Sequence, residues 1–165
     1  MQRLSGFVVP VATVAVCMLL GAAVYESVVM APNYVHGLAS LEHARGFLVA
    51  TTPGNLFRVL SPAVQVLLLL SVAITWRASP RRLRWLLLFA FCAAVLTDVV
   101  TFTFHYPRND ILFVAPLDRS AADLHRIARE WALGNYVRIG LLAGAVVAAM
   151  TALRSLPQRP SPLQT

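Results

Sequence analysis

Four stretches of this chain are apolar over the length a helix needs to cross a bilayer. They run from Phe7 to Ala31, from Leu56 to Trp76, from Trp85 to Phe104, and over about 134–153, where the uncharged run Ile139 to Leu153 follows Arg138. A hydrocarbon core is about 30 Å thick, which roughly 20 helical residues cover. With 58% hydrophobic and 13% charged residues among 165, the composition is that of a membrane protein and excludes a soluble core. The expected fold class is an all-α membrane protein, a four-transmembrane-helix bundle. It forms one domain over residues 1–153, with helices at about 7–31, 56–76, 85–104 and 121–153, the last in the membrane over about 134–153. Residues 154–165, rich in proline, form a disordered tail.

Local signals set the expected boundaries. The first run is too long for a signal peptide, whose apolar region covers about 7–15 residues, so it reads as a retained span. It should stop near Met30-Ala31-Pro32, because proline disfavours a helical residue before it. Ser40 to Arg45 should form a short helix along the interface, with Leu38, Leu41 and Leu48 on its apolar side. Tyr106-Pro107-Arg108-Asn109-Asp110 reads as part of a polar segment after the third span. Ser120 and Asp123 form a cap that starts the fourth helix near Ala121.

Charge gives the orientation. The net charge is +7, and all fourteen basic residues are arginine. They cluster at membrane edges without an aromatic ladder, which argues against nucleic acid. Arg77, Arg81, Arg82 and Arg84 fill one short loop that has no acid. By the positive-inside rule this loop and both termini are cytoplasmic, in the cell membrane. Cys17 and Cys92 fall in apolar runs with no Cys-x-x-Cys spacing, which excludes a dithiol redox site and makes both small core residues.

All seven acids and all four histidines then lie on the outer side. Glu26 and Asp98 are embedded in apolar helices, and Arg138 lies about 22–24 Å up the fourth helix from Arg154. Counted the same way, Asp98 and Glu26 reach about 22 and 28 Å, so three charges converge on one layer. A carboxylate in hydrocarbon costs about 2.5 kcal/mol or more, which places it in the bundle interior beside a partner. Arg138 therefore pairs with Asp98 or Glu26; the alternative is that it snorkels alone.

Trp131, Asn135 and Arg138 are spaced i, i+4, i+7 and share a helix face, as do Asp98, Thr101 and His105 at i, i+3, i+7. Together with Tyr25 they outline a pocket for an aromatic or lipidic molecule. His105, Asp98, Glu26 and Arg138 are the candidate catalytic residues. Tyr25, Asn109, Trp131 and Asn135 are the candidate substrate-binding residues. A two-His, one-carboxylate metal set is the alternative, but no spacing fixes two ligands on one helix, so neither metal nor cofactor is expected. The partners expected are the bilayer and a hydrophobic small molecule, with a homo-oligomer left open.

The run Gly21-Ala-Ala-Val-Tyr25-Glu26 with Ala31-Pro32-Asn33, the element Pro107-Arg-Asn109-Asp-Ile-Leu112, and Trp131, Asn135 and Arg138 resemble the anthrone-oxygenase-like family of small four-helix membrane proteins. The resemblance implies cofactor-poor oxygenation of an activated aromatic carbon, anthrone to anthraquinone in some fungal members, whereas many bacterial members have no known activity. In that chemistry a base, His105, Asp98 or Glu26, removes a proton from carbon and Arg138 stabilises the enolate. The competing classes are a non-enzymatic membrane subunit or lipid-binding protein, whose charges only lock helices together, and a small transporter. Four helices without repeats disfavour the transporter.

Overall fold

Inside hydrocarbon each backbone N–H and C=O must be satisfied within the protein, and a single apolar run achieves this as a helix. A computed structural model describes residues 2–48, 50, 52–77, 79–116 and 118–156, and among these it is helical with no strands. The expected tail lies, from residue 157 onward, outside the described residues.

The first span is α1 (Gln2–Tyr25), a π-helical turn π1 (Glu26–Met30) and α2 (Ala31–Val35). After it come α3 (Leu38–Phe47) and the second span α4 (Pro53–Thr75). The third span is α5 (Arg81–Val100), π2 (Thr101–His105), α6 (Tyr106–Asn109) and π3 (Asp110–Val114). The fourth is α7 (Ala121–Arg154), which Ser120 caps by accepting from the Asp123 N–H at 3.1 Å. Among the described residues four helices are thus long and apolar enough to cross a membrane, and the protein is a multi-pass, all-α bundle. α1 packs on α4 and α7, and α5 packs on the same two helices, so the spans close into a ring.

Two expected boundaries move. The first span continues past Pro32 to Val35, and the third continues past Pro107 to Val114. The reason is the same in both. A proline ring clashes with the carbonyl four residues back, and a wide turn just before it relieves the clash. In π1 the Ala31 N–H reaches back five residues to Glu26 O, and in π2 the Tyr106 N–H does the same to Thr101 O. Pro107 therefore stands inside a helix and not in a polar loop.

The centre of the bundle is built on small side chains. Ala12, Ala23, Ala90, Ala94, Ala145 and Ala149 are fully buried, with Leu19, Leu68 and Leu142 between them. Small residues let helices approach closely where lipid supplies no hydrophobic drive of its own. Phe7, Met18, Phe89 and Val147 face outward on the lipid side. Cys92 is exposed and Cys17 half-buried, so neither is the core residue expected, because each lies off the alanine-lined face of its helix.

At the end opposite the arginine loop, a second cluster forms a cap over the bundle. Gly37, at φ 117°, makes the turn that only glycine adopts easily and folds α3 back onto the bundle. Leu41 and Ala44 of α3 are buried against Ala31, Leu112, Ile127 and Trp131, while Leu38 is exposed. Arg45 fixes the cap to the third span by donating to the carbonyls of Leu112 (2.5 Å), Ala115 (2.9 Å) and Ile111 (3.1 Å). These are acceptors that the end of a helix leaves open.

Candidate functional site

The stripe on α7 forms as its spacing requires. Trp131, Asn135 and Arg138 are all buried, with 2%, 0% and 4% of their surface exposed. Arg138 Nη1 donates to Asn135 Oδ1 at 2.8 Å and to Glu26 Oε2 at 3.2 Å, and its guanidinium lies 4.7 Å from the centre of the Phe57 ring. Glu26, 6% exposed, enters from the first span. Of the two acids expected to hold Arg138, the direct partner is therefore Glu26, and the guanidinium does not snorkel alone.

Asp98 lies elsewhere. Its carboxylate accepts from Ser61 Oγ and Gln65 Nε2, both at 2.6 Å, across the α4–α5 contact. It shares a small pocket with Arg138, but it bonds to α4 and not to the guanidinium. The π turn that starts at Thr101 breaks the i, i+3, i+7 alignment, since one extra residue rotates everything beyond it by about 100°. Asp98 consequently faces α4, whereas His105 turns toward α7.

His105 is 1% exposed and packs edge-on against Trp131, with ring centres 5.5 Å apart. This approach depends on Gly134, where a Cβ would fall on the Phe104 ring and 3.1 Å from His105 Nε2. Five buried side-chain polar atoms lack a hydrogen bond among the described residues, and four of them belong to His105, Asn135 and Arg138. Such atoms are costly to bury, and these four lie on or beside the buried α7 stripe that Glu26 meets.

Tyr25 does not join the site: it is 56% exposed, being one residue and so about 100° away from buried Glu26. Tyr34 stands in its place, 3% exposed and edge-on to Phe113 and Trp131 at 4.8 and 5.3 Å. No reading of the sequence that ends the first helix at Pro32 can find it. Asn109 accepts from Trp131 Nε1 at 2.6 Å. Because an indole N–H can only donate, the contacting atom is the amide oxygen, and the Asn109 NH₂ group has no hydrogen bond among the described residues.

A cavity of about 210 Å³ opens beside these residues at the cap end. Buried Glu26, Tyr34 and Trp131 line it together with Asn109, Tyr106 and Phe113, and exposed Arg58, Asp110 and Val114 form its rim. Arg138 stands behind Glu26 and lines a separate pocket of about 50 Å³ together with Asp98, Ser61 and Thr101. Tyr106 borders both spaces. His105 and Asn135 border neither. Among the described residues no three His, Cys, Asp or Glu side chains gather as a metal-ligand set.

The sequence model described as anthrone oxygenase matches residues 54–148, more than half of the chain. The protein belongs to the anthrone oxygenase family. The match covers Arg58, Asp98, His105, Asn109, Trp131, Asn135 and Arg138, while Glu26 and Tyr34 reach the site from the first span, outside the matched stretch. No curated protein and no solved structure matches the chain. In this member of the anthrone oxygenase family, a carboxylate paired with a guanidinium, an asparagine amide and aromatic side chains meet around one cavity.

Proposed function

We propose that the protein is a cofactor-poor oxygenase acting on an activated aromatic or lipidic molecule in the cap-end cavity. The observation that carries this reading is a carboxylate, Glu26, lining an aromatic-walled cavity while Arg138 holds it from behind. A benzylic C–H flanked by ring carbonyls and phenols is acidic enough for a carboxylate to deprotonate. Glu26 takes that proton, and the NH₂ of Asn109 donates to the enolate oxygen. The carbanion carbon bonds to dioxygen, giving a hydroperoxide once a proton returns. Loss of water, with the second C–H proton leaving, produces the carbonyl. One CH₂ and one O₂ thus become one C=O and one H₂O. The geometry favours Glu26 as base over His105, which is walled off behind Trp131, and over Asp98, which faces the smaller pocket.

Both termini and the arginine loop are proposed to be cytoplasmic, which puts the cavity near the outer face of the cell membrane, open to molecules arriving from lipid. The test is oxygen uptake by detergent-purified protein supplied with an anthrone-type polyphenol. Glu26→Gln should slow uptake by roughly 10²–10⁴. A wild type that consumes no oxygen with this substrate would leave the buried charges the purely structural role of locking helices together.

A further inference from the structure

The rim of the larger cavity carries a charge that the fold does not use. Arg58 is exposed and lines the cavity about 8 Å along α4 from its first residue. At the same end Arg45, Arg108, Arg126 and Arg138 donate to carbonyls or carboxylates, while exposed Arg119 and Arg129 do not line the cavity. Among the described residues Arg58 has no ion-pair or hydrogen-bond partner. An arginine this close to a helix end can reach the interface, which leaves its guanidinium available to a group at the rim.

Two further features point to an anion. Thr52, Pro53 and Gly54 line the same rim, so the N-terminus of the 23-residue α4 faces it, and Thr52 gives that end no side-chain cap. The positive end of the helix dipole adds to the guanidinium. The acid inside, Glu26, is already engaged by Arg138. Asp110 lines the rim but forms no ion pair with Arg58. Inward of the rim the wall is aromatic. At about 210 Å³ the space is below the usual 300–1,000 Å³ range of ligand pockets, which suits a compact ring system better than acyl chains.

We infer that Arg58 recognises an anionic group, so that the cavity's ligand is an amphipathic aromatic acid whose carboxylate stays at the rim while its ring enters among Tyr34, Phe113 and Trp131. This rests on the proposed use of the cavity as the substrate site. The carboxylate would sit between a guanidinium and a helix N-terminus, away from Glu26, with the reacting ring carbon inward. An anionic lipid headgroup offers the same charge from a different source.

The protein's three tryptophans allow a direct test. With Trp76→Phe and Trp85→Phe, Trp131 becomes the sole fluorophore, and its quenching reports ligand in the cavity. In phosphatidylcholine nanodiscs, 2-naphthoate should bind at least roughly tenfold tighter than the isosteric 2-naphthamide, about 1.4 kcal/mol. Arg58→Gln should bring naphthoate down to the naphthamide level and leave naphthamide unchanged, and Arg58→Lys should keep most of the preference. Equal affinities in the parent protein, or a preference that survives Arg58→Gln, overturn the inference. Equal effects on both probes from Arg58→Gln and Asp110→Asn also overturn it, by making the two residues a latch. Arg58-dependent competition by phosphatidylglycerol assigns the anion to a lipid and overturns the aromatic acid; absence of competition supports it. Binding in the expected pattern without oxygen uptake sinks the oxygenase reading alone. Oxygen uptake from a carboxylate-bearing anthrone that is indifferent to Arg58→Gln sinks this inference alone.

Discussion

Arg138 and Glu26, 112 positions apart in the chain, meet with Nη1 3.2 Å from Oε2 and less than a tenth of either residue exposed. This contact joins the first span to the fourth inside the membrane. Removing one member of a buried pair leaves an uncompensated charge, typically costing about 3–5 kcal/mol. Arg138→Ala should therefore lower the melting temperature in detergent substantially. Glu26→Ala combined with it should cost clearly less than the sum of the two. The same cycle run with Asp98→Ala should show weaker coupling, because Asp98 and Arg138 share a pocket but no bond. Strong coupling to Asp98 and none to Glu26 would contradict the pairing.

Gly134 makes a second test, with an unusual sign. Alanine in a helix interior normally gains about 1 kcal/mol over glycine. Here the added Cβ falls on the Phe104 ring and crowds His105 Nε2. Overpacking of this kind costs about 1–3 kcal/mol. Gly134→Ala should thus destabilise the protein in thermal melts, while Gly140→Ala, which has open space around its Cβ, should stabilise it.

Asp98 tests the α4–α5 seam. Its two hydrogen bonds are to a charged acceptor, each worth about 1.5–3 kcal/mol. Asp98→Ala should destabilise strongly, and Ser61→Ala added to it should cost little more. An additive Ser61→Ala effect would show that the hydroxyl does not depend on the carboxylate.

Topology has its own measurement. Reporter fusions after Ser79 and after Asp118 should report cytoplasm and exterior, respectively. The reverse pattern would invert the orientation, and two exterior readings would break the four-span count.

What the sequence revealed and what it hid divide along a physical line. Depth along a helix depends only on counting residues, so the level of Glu26, Asp98 and Arg138 could be read in advance. The α7 stripe could also be read, because that helix is regular from Ala121 to Arg154. Direction around the axis could not be read wherever a π turn intervened, which is why Asp98 and His105 part company and Tyr34 was missed. The prolines that looked like stops were the cause, since each is accommodated by the wide turn before it. The unpartnered state of Arg58 depends on three helices arriving at one rim, and no local pattern encodes it.

Arg45 has a consequence for how the molecule meets its membrane. A helix ending within hydrocarbon would strand its last carbonyls away from water, so most spans must reach the headgroups. The third span hands three of its end carbonyls, those of Ile111, Leu112 and Ala115, to a guanidinium from α3 and so depends less on water there. Its length is therefore a weaker guide to bilayer thickness on that side. The arginine-loop end has no such freedom, because Trp76 and Trp85 flank charges that need water. A thinner or thicker bilayer would be registered there first, leaving the cavity at the other end in place.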